Sequence, residues 1–220
     1  MNESKKGFIE FMFESNVLKF GNFIAKSGRE TPYFINTGFY NDGNAIDKLG
    51  RFYAGCINEY VKKEINTIYG PSYKGIPLAV GAAVSMKLQY GKNIHFSFNR
   101  KEAKDHGEGG LIVGYTPKDG DNIVIVEDVI TSGISINESI GILNSLAKVN
   151  ILAIIISVDR MEKGNSEKSA IQEIRDKYNI PVYAIVTIED IVDYVYNEKK
   201  DGKKIINDEM KRKIEERIVK

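Results

Sequence analysis

Two adjacent carboxylates stand immediately before a short turn of small polar residues. Glu127 and Asp128 follow the apolar residues 123–126, and the Thr-Ser-Gly turn of residues 131–133 precedes a helix-forming segment. Hydroxyls and backbone N–H groups of such a turn, with the N-terminus of the next helix, are suited to bind one phosphate. The carboxylates do not favour a phosphate, so we expect sugar hydroxyls or a hydrated Mg²⁺ as their partners. The segment therefore predicts a site for a phosphorylated sugar.

A helix-capping turn is the alternative explanation of the same segment. Capping accounts for a threonine and a serine before a helix. It does not account for two carboxylates at the end of a buried strand, because unpaired polar groups are costly to bury. We therefore favour the binding interpretation.

A charged segment with three glycines covers residues 99–110. It carries Arg100, Lys101, Lys104 and His106, and its glycines predict a mobile loop. Taken alone, the segment is an ordinary solvated loop. Beside a phosphate site, its cations can stabilise a departing diphosphate and exclude water, and His106 can donate a proton near neutral pH.

Two further segments place polar groups after apolar strands. Residues 70–79 put a Tyr-Lys pair between glycines, where backbone N–H groups and Lys74 can hold a diphosphate. An ordinary strand-to-helix turn explains that segment equally well. Arg160 follows the apolar residues 151–158 and can grip a carboxylate with two hydrogen bonds. A salt bridge with Asp159 or Glu162 is the alternative for Arg160.

The elements that must position these residues alternate along the chain. We predict strands at residues 67–69, 94–98, 123–126, 151–158 and 182–185, and an extended segment at 17–37. Helices are predicted at 8–15, at 44–65 with Asn44 as N-cap, at 74–90, 135–148 and 166–178, and twice near the C-terminus. This alternation predicts a parallel sheet covered on both faces. Ligands then bind at the carboxyl ends of the strands, after Tyr69, Val126 and Val158.

Composition excludes several classes of protein. The chain has 220 residues, of which 42% are hydrophobic and 28% are charged, and its net charge of +1 gives no nucleic-acid signature. No stretch reaches the roughly 20 apolar residues of a membrane helix. The single cysteine, Cys56, forms no internal disulfide, and we expect it to pack in the core of a cytoplasmic protein. We expect no structural zinc, because no Cys/His cluster is present.

The acidic pair with its turn and the charged loop both resemble motifs of a known family. The acidic pair and the following turn resemble the signature of the type I phosphoribosyltransferases, and the loop Arg-Lys-Glu-Ala-Lys-Asp-His-Gly-Glu-Gly-Gly of residues 100–110 resembles the catalytic loop of the orotate phosphoribosyltransferases. The resemblance covers about residues 10–190. It implies one α/β domain over residues 1–220, with a doubly wound, mainly parallel sheet in the core of residues 66–190. Residues 1–40 and a C-terminal segment would form a small hood, and no fused decarboxylase is expected.

The resemblance also implies an activity and its site residues. The reaction transfers ribose 5-phosphate from 5-phosphoribosyl 1-diphosphate (PRPP) to N1 of orotate, giving orotidine 5′-monophosphate and diphosphate. Mg²⁺ would be held mainly by the diphosphate and ribose hydroxyls, near Glu127 and Asp128. The catalytic residues would be Lys101, His106 and Asp128. The residues that contact PRPP would be Lys26, Tyr73, Lys74, Arg100, Lys101, Lys104, His106, Glu127, Asp128, Val129, Ile130, Thr131, Ser132, Gly133, Ile134 and Ser135. The residues that contact orotate would be Lys26, Phe34, Ile35, Thr131 and Arg160.

In that family the catalytic loop of one subunit closes over the site of its neighbour. The resemblance therefore implies a homodimer in which residues 100–110 act in trans. Two residues depart from the family's usual pattern: Glu127 replaces an aspartate, and Ile35 replaces the second residue of a Phe-Phe pair. Ser72-Tyr73 is the candidate for a cis peptide bond. The competing interpretations are a purine phosphoribosyltransferase and a regulator that binds PRPP without catalysis.

Overall fold

The computed structural model describes residues 1–24, 30–104, 110–164, 166–200 and 203–219. The strands are β1 (Leu18–Ile24), β2 (Glu30–Ile35), β3 (Thr67–Tyr69), β4 (His95–Lys104), β5 (Gly110–Gly114), β6 (Asn122–Val129), β7 (Asn150–Asp159), β8 (Val182–Thr187), β9 (Lys199–Lys200) and β10 (Lys203–Lys204). The helices are α1 (Glu3–Glu14), α2 (Gly43–Tyr60), α3 (Gly75–Tyr90), α4 (Ile134–Leu146), α5 (Ala170–Tyr178), α6 (Ile188–Asn197) and α7 (Asp208–Glu215), with a 3₁₀ turn at Thr37–Phe39.

A six-stranded sheet in the order β5-β4-β3-β6-β7-β8 organises these elements. All neighbouring pairs are parallel except β4 and β5. Side chains alternate between the faces of a strand, so Val124 and Val126 enter one core cluster while Ile123 and Ile125 enter the other. Helices α1, α2, α3 and α6 contribute to the first cluster, and α4 and α5 contribute to the second. The predicted parallel sheet with two covered faces is thus confirmed.

The edge hairpin of β4 and β5 was not predicted. Residues 99–104, which were expected in a loop, continue β4, and β5 pairs with it in antiparallel fashion. The interpretation failed because the charges mask any apolar alternation, while pairing at a sheet edge uses the backbone. The remainder of that predicted loop, residues 105–109, lies outside the described residues.

Several helix boundaries also differ from the predictions. Helix α2 begins at Gly43, because the Asp42 side chain, not Asn44, caps it by accepting from the Ala45 N–H at 2.8 Å. It ends at Tyr60 rather than near residue 65. Helix α5 begins only at Ala170, where Ser169 and Gln172 form a capping box. The short pair of β9 and β10 was not predicted either.

The N-terminal hairpin of β1 and β2 lies against the C-terminal helix. The Arg217 guanidinium donates to the Glu30 carbonyl, and the Val219 N–H donates to the Met161 carbonyl at 2.7 Å. Ile214 is only 1% exposed, so the charged helix α7 also buries an apolar side chain. The two hydrogen bonds attach the end of the described chain to β2 and to the residues that follow β7.

Cys56 packs on the buried side of α2, as predicted. Burial raises the pKa of its thiol to about 12, so the thiol stays protonated at neutral pH. None of the helices in the described part of the chain has the length and apolar character that crossing a bilayer requires.

Candidate functional site

The two carboxylates lie at the carboxyl end of β6, and both are buried. Glu127 accepts from the Ser135 hydroxyl at 2.7 Å and from the Asp128 N–H at 3.1 Å. Asp128 accepts through Oδ2 from the Thr37 hydroxyl at 2.6 Å and from the Lys74 ammonium at 2.8 Å. Partners of this kind offset the cost of burying two negative groups.

Burial raises the pKa of Glu127 to about 7. The Ser135 hydroxyl opposes this shift by stabilising the charged form, and the neighbouring Asp128 carboxylate adds to it by repulsion. Glu127 therefore changes its protonation near neutral pH, which an exposed glutamate does not do.

Two hydroxyls anchor the backbone beneath the carboxylates. Tyr53 of α2 donates to the Glu127 carbonyl at 2.7 Å, and Ser157 of β7 donates to the Asp128 carbonyl at 2.6 Å. Tyr53 is fully buried and Ser157 is 2% exposed, so neither is a free surface group. Sequence reasoning missed both, although their places on a predicted helix and a predicted strand were correct.

The turn after β6 leads directly into α4. Gly133 occupies the N-cap position with a left-handed φ of 72°, a conformation that favours glycine. Because glycine has no side chain, helix capping does not explain the threonine and serine that precede it. Thr131 and Ile134 are exposed at this helix N-terminus, where backbone N–H groups favour an anion.

Asn99 connects the loop after β3 to β4. Its Oδ1 accepts from the Ser72 N–H at 2.9 Å and from the Tyr69 hydroxyl at 3.1 Å. The Ser72 hydroxyl in turn donates to the Asn99 carbonyl. The Ser72-Tyr73 peptide bond in this loop is cis, as the resemblance implied. Sequence reasoning did not single out Asn99, because only the pairing of β3 with β4 brings it to this loop.

The loop itself is tightly closed by glycines. A Cβ atom on Gly70 would lie 2.0 Å from the carbonyl oxygen of Gly75, so no larger residue fits there without movement. Tyr73 projects from the loop and is 66% exposed. The Lys101 ammonium lies 4.8 Å from the centre of its ring. The structure thus brings one predicted loop cation to the predicted diphosphate loop.

Arg160 follows the end of β7, beside the end of β6. The register pairs Val129 with Val158, so the phosphate turn and Arg160 leave neighbouring strands at the same level. The Arg160 guanidinium forms an ion pair with Glu162 at 3.0 Å, which confirms one predicted alternative. Asp159 instead accepts from the Met161 N–H at 2.8 Å.

Other predicted site residues lie in β2, in β4 and in the segments outside the described residues. Phe34 is 43% exposed in β2, its ring centre 5.6 Å from that of Phe23, and Ile35 is half-buried. Arg100 is half-buried, and its Nε has no hydrogen-bond partner among the described residues. Lys26 and His106 lie outside the described residues, as does the side chain of Lys104.

A cavity of about 240 Å³ adjoins these groups. Its lining includes Thr37, Tyr53, Tyr73, Lys74 and Asp128. Within the described part of the chain, no group of three or more His, Cys, Asp or Glu side chains could hold a metal ion.

Fold and site together define a phosphoribosyltransferase. Residues 37–187 match the phosphoribosyl transferase domain, and the chain belongs to this family. The chain is 49% identical to the orotate phosphoribosyltransferase of Clostridium acetobutylicum over 98% of its own length and 96% of that protein. It is 48% identical, with the same coverage, to the orotate phosphoribosyltransferase of Clostridium botulinum. The solved orotate phosphoribosyltransferase of Francisella tularensis superposes with a TM-score of 0.82 at 34% identity, covering 96% of both chains.

Proposed function

We propose that this chain is an orotate phosphoribosyltransferase of pyrimidine biosynthesis. It transfers ribose 5-phosphate from PRPP to N1 of orotate and releases orotidine 5′-monophosphate and diphosphate. The observation that carries the proposal is that the neighbouring strands β6 and β7 end at the same edge of the sheet. The buried acidic pair, the phosphate turn and Arg160 therefore lie together at that edge. The high identity to curated orotate phosphoribosyltransferases supports the choice of base.

The donor has a matching group for each of its parts. Residues 129–135 bind the 5′-phosphate through backbone N–H groups and hydroxyls, with Thr131 and Ser132 supplying the hydroxyls. Glu127 and Asp128 accept from the ribose hydroxyls. Tyr73, Lys74 and Arg100 would contact the diphosphate, and the Nε of Arg100, which has no partner in the part of the chain that the structure describes, supports this assignment. Glu127 and Asp128 would lie near a Mg²⁺ held by the substrate, which would supply further positive charge at the departing diphosphate.

The acceptor takes the space between the N-terminal hairpin and the end of β7. Phe34 and Ile35 line the base, Thr131 and Lys26 contact it, and Arg160 holds its carboxylate. As the C1–O bond loosens, the ribose gains oxocarbenium character and N1 attacks. Lys101, Lys104 and His106 stabilise the departing diphosphate and keep water out. Catalysis is then mainly positioning and charge stabilisation.

We further propose a homodimer in which residues 100–110 act on the partner's site. Large apolar side chains are exposed on α3 and on the adjacent strand β4, with Leu88 73%, Val84 52% and Phe96 38% exposed. Such a surface next to the hairpin that carries the loop supports pairing through this face. One domain spanning residues 1–220, and a cytoplasmic location supported by the free thiol of Cys56, complete the proposal.

A direct assay tests the function. With Mg²⁺ and PRPP, the purified protein should consume orotate, followed as loss of the base's ultraviolet absorbance. Turnover of hypoxanthine or adenine in its place would show that the assigned base is wrong. Binding of PRPP without any turnover would favour a regulator.

A further inference from the structure

Arg160 is held by two residues that the proposed reaction does not use. Its Nε donates to the Tyr33 hydroxyl at 3.2 Å, and its Nη2 donates to Glu162 Oε1 at 3.1 Å. The Tyr33 hydroxyl donates to the same Oε1 at 2.7 Å. The three side chains therefore form a closed ring of hydrogen bonds.

The ring joins distant parts of the chain. Tyr33 belongs to β2 and is only 1% exposed, so its ring has one fixed position. Glu162 follows β7, two residues after Arg160, and its side chain is 27% exposed. The Arg160 guanidinium carbon also lies 5.3 Å from the centre of the Tyr33 ring. Rotating the guanidinium would break every one of these contacts at once.

A guanidinium is planar and offers two edges that can each bind a carboxylate. Tyr33 and Glu162 occupy the edge formed by Nε and Nη2. Nη1 donates no hydrogen bond to any of the residues that the structure describes. Glu162 places both of its oxygens near Nη2, at 3.1 and 3.0 Å, so Nη1 on the second edge is the nitrogen left for a ligand.

We infer that Tyr33 and Glu162 are positioning residues that set the plane of Arg160, so that its second edge receives the carboxylate of the pyrimidine. The inference rests on the proposed function. Neither residue is assigned a contact with the base, because both act through Arg160. Burial opposes the charged form of Arg160, but its hydrogen bonds and its pairing with Tyr33 and Glu162 raise its pKa, so the guanidinium stays charged.

A different role for Glu162 makes the opposite prediction. If its carboxylate merely fills the place of the substrate's carboxylate, orotate must displace it. Removing Glu162 would then strengthen orotate binding. If Glu162 braces Arg160, removing it frees the guanidinium to adopt other orientations and weakens orotate binding.

Three variants separate these roles by steady-state kinetics. For Glu162→Ala we expect the KM for orotate to rise about tenfold, and for Tyr33→Phe about fivefold, because hydrogen bonds to a charged group are lost. Glu162→Gln keeps an acceptor for Arg160 and should stay within about threefold of the wild type. The KM for PRPP should not change in any of them, which also shows that each variant is folded. An unchanged or lowered KM for orotate in Glu162→Ala would overturn the inference.

A measurement without turnover keeps this test separate from the proposed function. The Nε–H resonance of Arg160, assigned by its loss in Arg160→Lys, should exchange slowly with water in the wild type. We expect clearly faster exchange in Glu162→Ala and in Tyr33→Phe. Equal exchange rates in the wild type and the variants contradict the positioning role of Tyr33 and Glu162, even if orotate is consumed. Failure of the wild type to use orotate contradicts the proposed function, while the exchange rates still test the positioning role.

Discussion

The Lys74 ammonium lies 2.8 Å from Oδ2 of Asp128, and the Thr37 hydroxyl donates to that same oxygen. In the proposed reaction these two charges serve different parts of PRPP, the diphosphate and the ribose. Without substrate they neutralise each other. The Lys74 side chain is 60% exposed and that of Asp128 only 9%, so the lysine is the partner that can move away. Binding of PRPP would replace this ion pair by two separate contacts.

Replacing Lys74 by alanine should therefore weaken PRPP binding more than it alters stability. We expect the KM for PRPP to rise about tenfold, as for loss of one hydrogen bond to a charged group. The free energy of unfolding should fall by about 1 kcal/mol, because water can replace the exposed lysine and the buried Asp128 keeps the Thr37 hydroxyl as a donor. Steady-state kinetics and urea unfolding measure the two effects. Lys63→Ala, at an exposed position after α2, is the matched control, and a similar rise in its KM would contradict this role of Lys74.

The raised pKa of Glu127, about 7 in the folded protein, predicts a pH dependence of stability. The folded state holds this proton more tightly than the unfolded state, whose pKa is near the ordinary 4.5. Because of this ordering of pKa values, the contribution of Glu127 to stability is largest below about pH 4.5 and is lost as the pH rises to about 7. The loss attributable to Glu127 is at most about 3 kcal/mol.

Glu127→Gln should remove this dependence, since it stays neutral throughout. Urea unfolding at several pH values between 5 and 8 should show the variant gaining stability relative to the wild type as the pH rises. Glu138→Gln, an exposed change on α4, should show no such gain. A difference between Glu127→Gln and wild type that is constant over this range would mean that Glu127 does not titrate there.

Asn99 should matter for both stability and PRPP binding, because it holds the Ser72 N–H and the Tyr69 hydroxyl. Asn99→Ala leaves both donors without this acceptor, and we expect a loss of about 1–3 kcal/mol in the free energy of unfolding. The value of kcat/KM for PRPP should fall as well, because the loop loses its tether. Asn99→Asp retains an acceptor and should be milder in both measurements. Equal effects of the two substitutions would show that the acceptor atom is not what matters.

The proposed dimer predicts complementation between two inactive chains. Lys101→Ala should disable the loop, and Asp128→Ala should disable the ribose contacts. If the loop acts in trans, a heterodimer of the two has one site with both defects and one site with none. Mixing the chains under conditions that exchange subunits should therefore restore activity. Heterodimers verified by mass that stay inactive would show that each site uses its own loop.

Much of the sheet and the site's position could be predicted from the sequence. Apolar residues 123–126 are flanked by polar ones, so the pattern predicts both a buried strand and its end at Glu127. The same logic located Arg160 at the end of β7. The parallel arrangement then brought these ends together, because neighbouring parallel strands end at the same edge of a sheet.

The partners across the site could not be predicted in this way. Thr37 meets Asp128 across 91 residues of chain, and Tyr33 meets Glu162 across 129. Hydrophobic patterns specify which face of an element is buried, but they do not specify which polar groups meet once the elements pack. The β4–β5 hairpin was missed for a related reason, since its pairing depends on backbone groups that carry no sequence signal.

The properties of Cys56 allow the proposed closure of the loop of residues 100–110 to be followed with a fluorescent label. It is the only cysteine of the chain, and with its buried thiol protonated it will not compete for a maleimide reagent. A cysteine introduced at an exposed position of the hairpin, such as Glu102→Cys, would therefore take up a fluorophore alone. Dye-to-dye distances could then be followed as PRPP and orotate are added, without removing any native side chain beforehand.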